Sequence, residues 1–249
     1  MKTMLPSPSP RLTHIKRLRA RLQSIFFDPW QLRYSHERQC PVCDFDGHFL
    51  SFGNPPRRDA LCPRCFSLER HRLLYIYLTK DDKNKLYGKT VLHFAPEPFI
   101  KRINKNCAGY ITADLWSEDV DFREDITKMH FNNEEFDLII CNHVLEHVQD
   151  DEKAMRECWR ILKKNGLALF MIPIIDAWER TYENARVVSD EDRELHFGQC
   201  DHVRFYGADF VDKLTSAGFI VSRYVALPQM CVLHGLLRGE TVFTARKVP

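Results

Sequence analysis

The stretch from Phe136 to Val148, FDLIICNHVLEHV, constrains this chain more than any other. Phe136 to Cys141 is a short apolar run with two adjacent isoleucines. It is too short for a helix and reads as a strand buried on both faces, as in a parallel sheet. Asn142 breaks the run. His143, Glu146 and His147 follow at i, i+3 and i+4, and on the first turn of a helix these three would share one face. Polar groups just beyond the carboxyl end of a buried parallel strand stand where open α/β sheets bind ligands.

The flanking sequence alternates in the same manner. Strands are predicted at Thr90–Ala95, Tyr110–Asp114, Val120–Ile126, Leu167–Ile172, Phe219–Val225 and Thr241–Ala245. A short helix is predicted over Pro98–Lys105, and a longer one over Asp150–Lys163. The latter has Ala154, Met155, Cys158, Ile161 and Leu162 on its apolar face and Asn165-Gly166 as its stop signal. A further helix is expected over Gly207–Ala217. This order implies an α/β, Rossmann-like, seven-stranded and mainly parallel sheet within a domain over 67–249. The last two strands, with no helix evident between them, suit an antiparallel edge. Residues 174–206 read as an irregular, charged and aromatic insertion or lid on the acceptor side, with Trp178, Glu179, Arg180, Tyr182, His196 and Phe197 as its wall.

Upstream, Cys40-Pro-Val-Cys43 and Cys62-Pro-Arg-Cys65 are separated by eighteen residues. Two thiolates on a tight turn grip one tetrahedral metal, and a second such pair closes the site, so residues 40–66 read as a zinc ribbon. Four thiolates leave no open position, which makes the site structural. An iron site has similar geometry, and the spacing does not choose between them. The loop at 53–58, GNPPRR, carries arginines that suit either phosphate or plain solvent. Ser67 to Leu78 reads as a helix.

Nine cysteines, four in CxxC pairs and five scattered, suit a reducing cytoplasm rather than a disulfide framework. The net charge is +2, but residues 1–39 carry eight Lys/Arg against two Asp/Glu. The alternating prolines of PSPSP predict a disordered tail over 1–10. A basic amphipathic helix and linker follow over 11–39, with Leu12, Ile15, Leu18, Leu22, Ile25 and Phe26 at helical spacing. Such a helix can touch a membrane surface or nucleic acid, dock on a protein, or stand in solvent. No run approaches a transmembrane span, and the basic start lacks the apolar core of a secretory signal.

Acids recur at the predicted strand ends. Asp114, closing the second strand, can accept both hydrogen bonds of a ribose diol, and Asp125-Ile126 is placed to flank an adenine edge. With VLHFAPE, TADL, CNHVLEHV, a helix ending ILKKNG and FGQCDHVRFYG, the chain resembles the class I S-adenosylmethionine-dependent methyltransferases over about residues 89–246. It looks like the type 11 branch, and within it a bacterial subfamily with an N-terminal zinc ribbon. The resemblance implies S-adenosylmethionine as cofactor. By resemblance, His93, Ala95, Pro96 and Glu97 line its methionine side, Asp114 and Leu115 the ribose, Asp125 and Ile126 the adenine, and Asn142 and His143 the sulfonium side. The loop over 93–97 departs from the family, which has a glycine-rich turn there. Ala95 is small enough to stand in for a glycine, and Pro96 fixes the turn.

Methyl transfer requires alignment of the nucleophile and removal of its proton. His143 or His202 would be the base for a hydroxyl acceptor, with Glu146 and His147 beside them. The expected partner is a small-molecule or glycan acceptor. Nucleic acid is not favoured, and amino methylation is disfavoured because no N/D-P-P-Y/F string follows the fourth strand. Two other readings stay open. One is an RNA- or protein-binding module with a degenerate methyltransferase domain. The other is a metal-dependent hydrolase built on HxxEH, literally present at His143, Glu146 and His147. The sequence also leaves that trio open as a second metal site or as hydrogen-bonded residues of the fold.

Overall fold

The computed structural model describes residues 36–53, 55–79 and 85–248. The tail expected over 1–10 and the amphipathic helix expected over 11–27 lie outside them. The described chain forms two compact units. The first comprises the residues up to Tyr75 together with Ala226–Glu240; the second comprises Ile76–Val225 and the strand from Thr241. Among the described residues no helix is long and apolar enough to cross a membrane.

The first unit is built from two antiparallel hairpins, β1 (Glu37–Gln39) with β2 (Asp46–His48) and β3 (Leu50–Phe52) with β4 (Arg57–Leu61). The strand pairing therefore begins at Glu37, before the first cysteine. Its core is small, and a buried cation organises it. Arg72, on the helix α1 (Glu69–Thr79), is fully buried. Its guanidinium donates to the carbonyls of Ser67 (2.6 Å), Ala60 (3.0 Å), His234 (2.7 Å) and Gly235 (2.6 Å) and stacks on Phe49. Five fixed donors suit several converging carbonyls in a way that a lysine could not. Arg57, expected on a loop, instead opens β4 and is bidentate to Glu69 at 2.8 and 3.1 Å.

The second unit is a seven-stranded sheet. In chain order its strands are β5 (Thr90–Phe94), β6 (Gly109–Asp114), β7 (Phe122–Arg123), β8 (Phe136–Asn142), β9 (Leu162–Met171), β12 (Phe219–Val225) and β13 (Thr241–Lys247). Their spatial order is β12-β13-β9-β8-β5-β6-β7. The pairs from β9 to β7 are parallel, and β13 runs antiparallel to both neighbours. This is the expected Rossmann-like architecture with its antiparallel edge. Helix α2 (Asp151–Ile161) packs Ala154, Met155, Cys158 and Ile161 into the core, and its Asp150 cap accepts from the Lys153 amide at 2.9 Å.

Several elements differ from expectation for local reasons. The strand predicted over Val120–Ile126 shrinks to two residues, because Asp125 turns the chain by accepting from Thr127. The helix predicted over Pro98–Lys105 is a pair of 3-10 turns, Pro98–Arg102 and Asn104–Asn106, rich in asparagine. Residues 174–206 are only partly irregular. They hold a two-stranded ribbon, β10 (Tyr182–Glu183) with β11 (Arg204–Phe205), and helix α3 (Asp190–Phe197). That helix is set by its Ser189 cap, three acids in its first turn and Gly198 at φ 78°, not by apolar periodicity. Helix α4 (Phe210–Ser216) starts later than expected, and α5 (Pro228–His234) between the last two strands was not foreseen. Its signal was punctuation: Pro228 just inside the start and Gly235, at φ 58°, just past the end.

Two predictions follow from these packing centres. Arg72→Met should cost the first unit about 3 kcal/mol or more by stranding buried carbonyls; chemical denaturation followed by amide exchange over the ribbon measures it. The second concerns Asp137 on β8. Burial alone would raise its carboxyl, but bonds from Thr90 Oγ1, the Thr90 amide and Lys163 bring it down to about 2. Its contribution is therefore complete above its ordinary value near 3.8 and is lost as pH falls toward 2. Asp137→Asn should lower the urea midpoint at pH 7, and the gap to the parent should narrow by pH 3.

Candidate functional site

The four ribbon cysteines converge. Their Sγ atoms all lie within 4.8 Å of one another, with Cys40–Cys65 at 3.5 Å and Cys43–Cys62 at 3.6 Å. Zinc–sulfur bonds of about 2.3 Å in a tetrahedron place sulfurs about 3.8 Å apart, so the cluster fits one tetrahedral dication. Ser67 Oγ sits 3.4 and 3.2 Å from Cys40 and Cys65. Without a cation the four thiols cannot all ionise. Hydrogen bonds from Cys40 and Cys62 push Cys65 down, whereas bonds to Cys40 and Cys65 push Cys62 up and burial raises Cys43 to about 11.

In the second unit the expected ligand residues fall at the carboxyl ends of three neighbouring parallel strands. Beyond β5, the Ala95 amide donates to the Ala113 carbonyl at 2.9 Å, and Ala95 takes φ 47°. A glycine would be at ease there; alanine is the smallest side chain that tolerates it. His93 and Glu97 lie beneath. The His93 Nε2–H donates to Glu97 Oε2 at 2.5 Å, and Nδ1 then accepts from the Tyr110 hydroxyl at 2.7 Å. Glu97 Oε1 in turn accepts from Asn142 Nδ2 at 3.1 Å. That leaves Asn142 Oδ1 buried without a partner.

Asp114 ends β6. Its Oδ1 accepts from the amides of Trp116 and Ser117, each at 2.7 Å, so the carboxylate also fixes its own turn and presents Oδ2. Leu115 and Trp116 beside it are exposed. Asp125 is exposed and uses Oδ1 on Thr127, while Ile126 is buried in the core, so this pair offers backbone and a carboxylate edge rather than an apolar face.

After β8 the chain does not enter a helix directly. His143 adopts φ 52°, its amide donating to Met171, and Leu145–His147 forms a 3-10 turn. The HxxEH string therefore lacks the continuous α-helix on which a hydrolase motif would place both histidines. His143 Nδ1 bonds Glu146 Oε1 at 3.2 Å, and Glu146 is 1% exposed. Burial would raise that carboxyl, but the His143 bond and the nearby His143 and His147 rings hold it below its ordinary value. His202 arrives from the far segment and meets His147 edge to face, with centroids 4.7 Å apart. Burial, helped by His147, lowers its basicity, so it is neutral near pH 7. Glu146, His147 and His202 form a second group with donor atoms within 4.8 Å of one another; His143 does not belong to it.

Arg204 holds this arrangement and was not singled out from sequence. It is 2% exposed and donates to the carbonyls of Leu145, Val148 and Gln149, while the Val203 amide donates to Glu146 O. Its only signal was a charged DHVR run within an aromatic segment. The foreseen wall residues partly assemble: Tyr182 Oη bonds His196 Nδ1 at 2.6 Å, Phe197 is buried, and Trp178 stands edge-on to Tyr182 and Phe205.

Residues 92–170 match the family model described as a methyltransferase domain. No curated protein sequence matches the chain. Solved structures resemble the chain at low identity. An S-adenosylmethionine-dependent methyltransferase from Mesorhizobium loti is 17% identical over 65% of this chain and 92% of its own, with a TM-score of 0.48. A 1,6-didemethyltoxoflavin-N1-methyltransferase from Burkholderia thailandensis, solved with its substrate and S-adenosylhomocysteine, is 15% identical over 66% and 72%, with a TM-score of 0.47. The [4+2]-cyclase SpnF is 13% identical over 73% and 84%, with a TM-score of 0.50. A cyclase on this fold illustrates that chemistry must be argued from the site.

For the ribbon, the cluster generates one prediction. The four thiolates of the purified chain should hold one zinc, read by elemental analysis as the ion that Cys62→Ser loses. Its removal by a strong chelator, or Cys62→Ser, should abolish amide protection over 37–61. Iron in place of zinc would show by its visible absorption, and full protection in metal-free protein would refute a structural metal.

Proposed function

We propose that this protein is an S-adenosylmethionine-dependent methyltransferase that methylates an oxygen of a small-molecule or glycan acceptor. The observation that carries this reading is the set of acceptor groups at three adjacent strand ends: Asp114 on β6, Glu97 beyond β5 and Asn142 on β8. They lie within or beside the segment that matches the methyltransferase model. The residues fit the cofactor. Asp114 Oδ2 would take ribose hydroxyls beside Leu115, and Asp125 with Ile126 would border the adenine. Asn142 Oδ1, buried and without a donor, would accept from the methionine ammonium, with Glu97 and His93 fixing its orientation. The left-handed turn at Ala95, followed by Pro96, would let the backbone approach closely.

When bound, the cofactor supplies an electrophilic methyl group on a sulfonium. The chain must align an acceptor and remove its proton. His143 is suited to that task. With Nδ1–H given to the Glu146 carboxylate, Nε2 carries the free lone pair, and the carboxylate steadies the ring once protonated. The carboxylates of Glu146, beside His143, and Asp201, beside His147, disfavour a phosphate-rich acceptor. Trp178 and Tyr182 favour a planar ring or a sugar face. The four-thiolate ribbon serves as a structural module and suits a reducing cytoplasm.

Calorimetric titration with S-adenosylmethionine and S-adenosylhomocysteine tests this. Micromolar binding of both is expected. Asp114→Ala should weaken it roughly 100-fold, as loss of hydrogen bonds to a charged group worth about 1.5–3 kcal/mol implies, in a protein that still folds. Binding of neither ligand would sink the reading and turn attention to salt-sensitive RNA binding.

A further inference from the structure

We propose that Glu146, His147 and His202 form a second metal site, which takes a borderline divalent cation such as Zn2+ and leaves a coordination position open. The hydrogen bonds around these side chains fix which atoms are available. His147 Nδ1 lies 3.0 Å from the Asp201 carbonyl oxygen, which can only accept, so Nδ1 carries the proton and Nε2 the lone pair. His202 Nδ1 is buried with no hydrogen-bond partner. Glu146 spends Oε1 on His143, and its Oε2 is likewise buried and unpartnered. Each residue thus keeps one uncommitted donor atom, and the three side chains each bring a ligand atom within 4.8 Å of the others.

Burial makes the observation pointed. Glu146 is 1% exposed and His202 3%. An orphaned carboxylate oxygen and an orphaned imidazole nitrogen are costly to bury, and one cation would satisfy both. The outer partners are those that ligating side chains ordinarily have: a backbone carbonyl behind His147 and an imidazole behind Glu146. Two imidazoles and one carboxylate favour a borderline first-row dication over magnesium or calcium, which want oxygen. Three protein ligands, unlike the four thiolates of the ribbon, leave room for an exogenous oxygen. That position would hold the acceptor hydroxyl and make its proton easier for His143 Nε2 to remove. This role rests on the methyltransferase reading; the binding of the cation does not.

The test is metal stoichiometry of the full-length chain after equilibration with micromolar Zn2+, read by native mass spectrometry. The parent should hold two zinc ions. His147→Asn, at a side chain 34% exposed and so tolerant of change, and Glu146→Gln should each hold one. In the cobalt-loaded protein, thiolate-to-metal charge transfer should saturate with the first equivalent. The second should add only ligand-field bands, absent from both variants. A parent that holds a single ion, or a second ion that survives both variants, would overturn the site. Cofactor titration of the same samples separates the two readings. A parent that binds cofactor but holds a single ion refutes only the second metal, and a parent that holds two ions but binds no cofactor refutes only the methyltransferase.

Discussion

The parallel pairing of β8 between β5 and β9 is the interaction on which the rest of the second unit depends. A strand ladder-bonded on both sides has no polar backbone to spare until its end, and parallel neighbours end on the same side. Polar groups are therefore forced to emerge together, at Ala95, Asp114 and His143. The chain leaves two of these ends through left-handed residues that are not glycine, Ala95 at φ 47° and His143 at φ 52°. Each costs about 1–2 kcal/mol and is held by a backbone bond, to Ala113 and Met171 respectively. Strain retained at two adjacent strand ends aims side chains that a relaxed helix start would turn elsewhere.

The first unit solves a different problem. Too few apolar residues are available there for a self-sufficient core, so polar order replaces apolar bulk. Four thiols gather at one point, and Arg72 draws together carbonyls from the ribbon, the start of α1 and the turn after α5. The two devices are complementary. A four-thiolate dication carries net negative charge, and the nearby cysteines already favour the charged form of Arg72 against its burial. Gly235, whose added Cβ would stand 3.0 Å from the Asp59 carbonyl, lets the backbone come close enough to meet that guanidinium.

Within the candidate site, committed and uncommitted atoms divide the labour. His93, Tyr110 and Glu97 satisfy one another in a buried relay, whereas Asn142 Oδ1, His143 Nε2, Glu146 Oε2 and His202 Nδ1 stay unsatisfied. A fold does not ordinarily retain that many buried orphans in one place, since each forfeits its hydration. Their concentration after β8 separates residues that orient from residues poised to bind.

The sequence alone determined the alternation of strands and helices, the sheet's antiparallel edge and the two thiol pairs. Each is a local pattern: apolar period, turn punctuation and ligand spacing. It also marked His143, Glu146 and His147, because they follow a buried strand. It did not determine that His143 would bond Glu146 yet stay out of the donor group of Glu146 and His147, for that depends on a left-handed residue and a 3-10 turn where helical spacing suggested one face. It could place His202 near the group but not against His147, and it could not give Arg204 its role. Both lie more than fifty residues away, and only the packing of the 200–206 segment onto the turn at 145–149 brings them near. Local propensity reads contacts a few residues apart; the orphaned donors and the clamp that holds them are products of long-range closure, which only the tertiary structure decided.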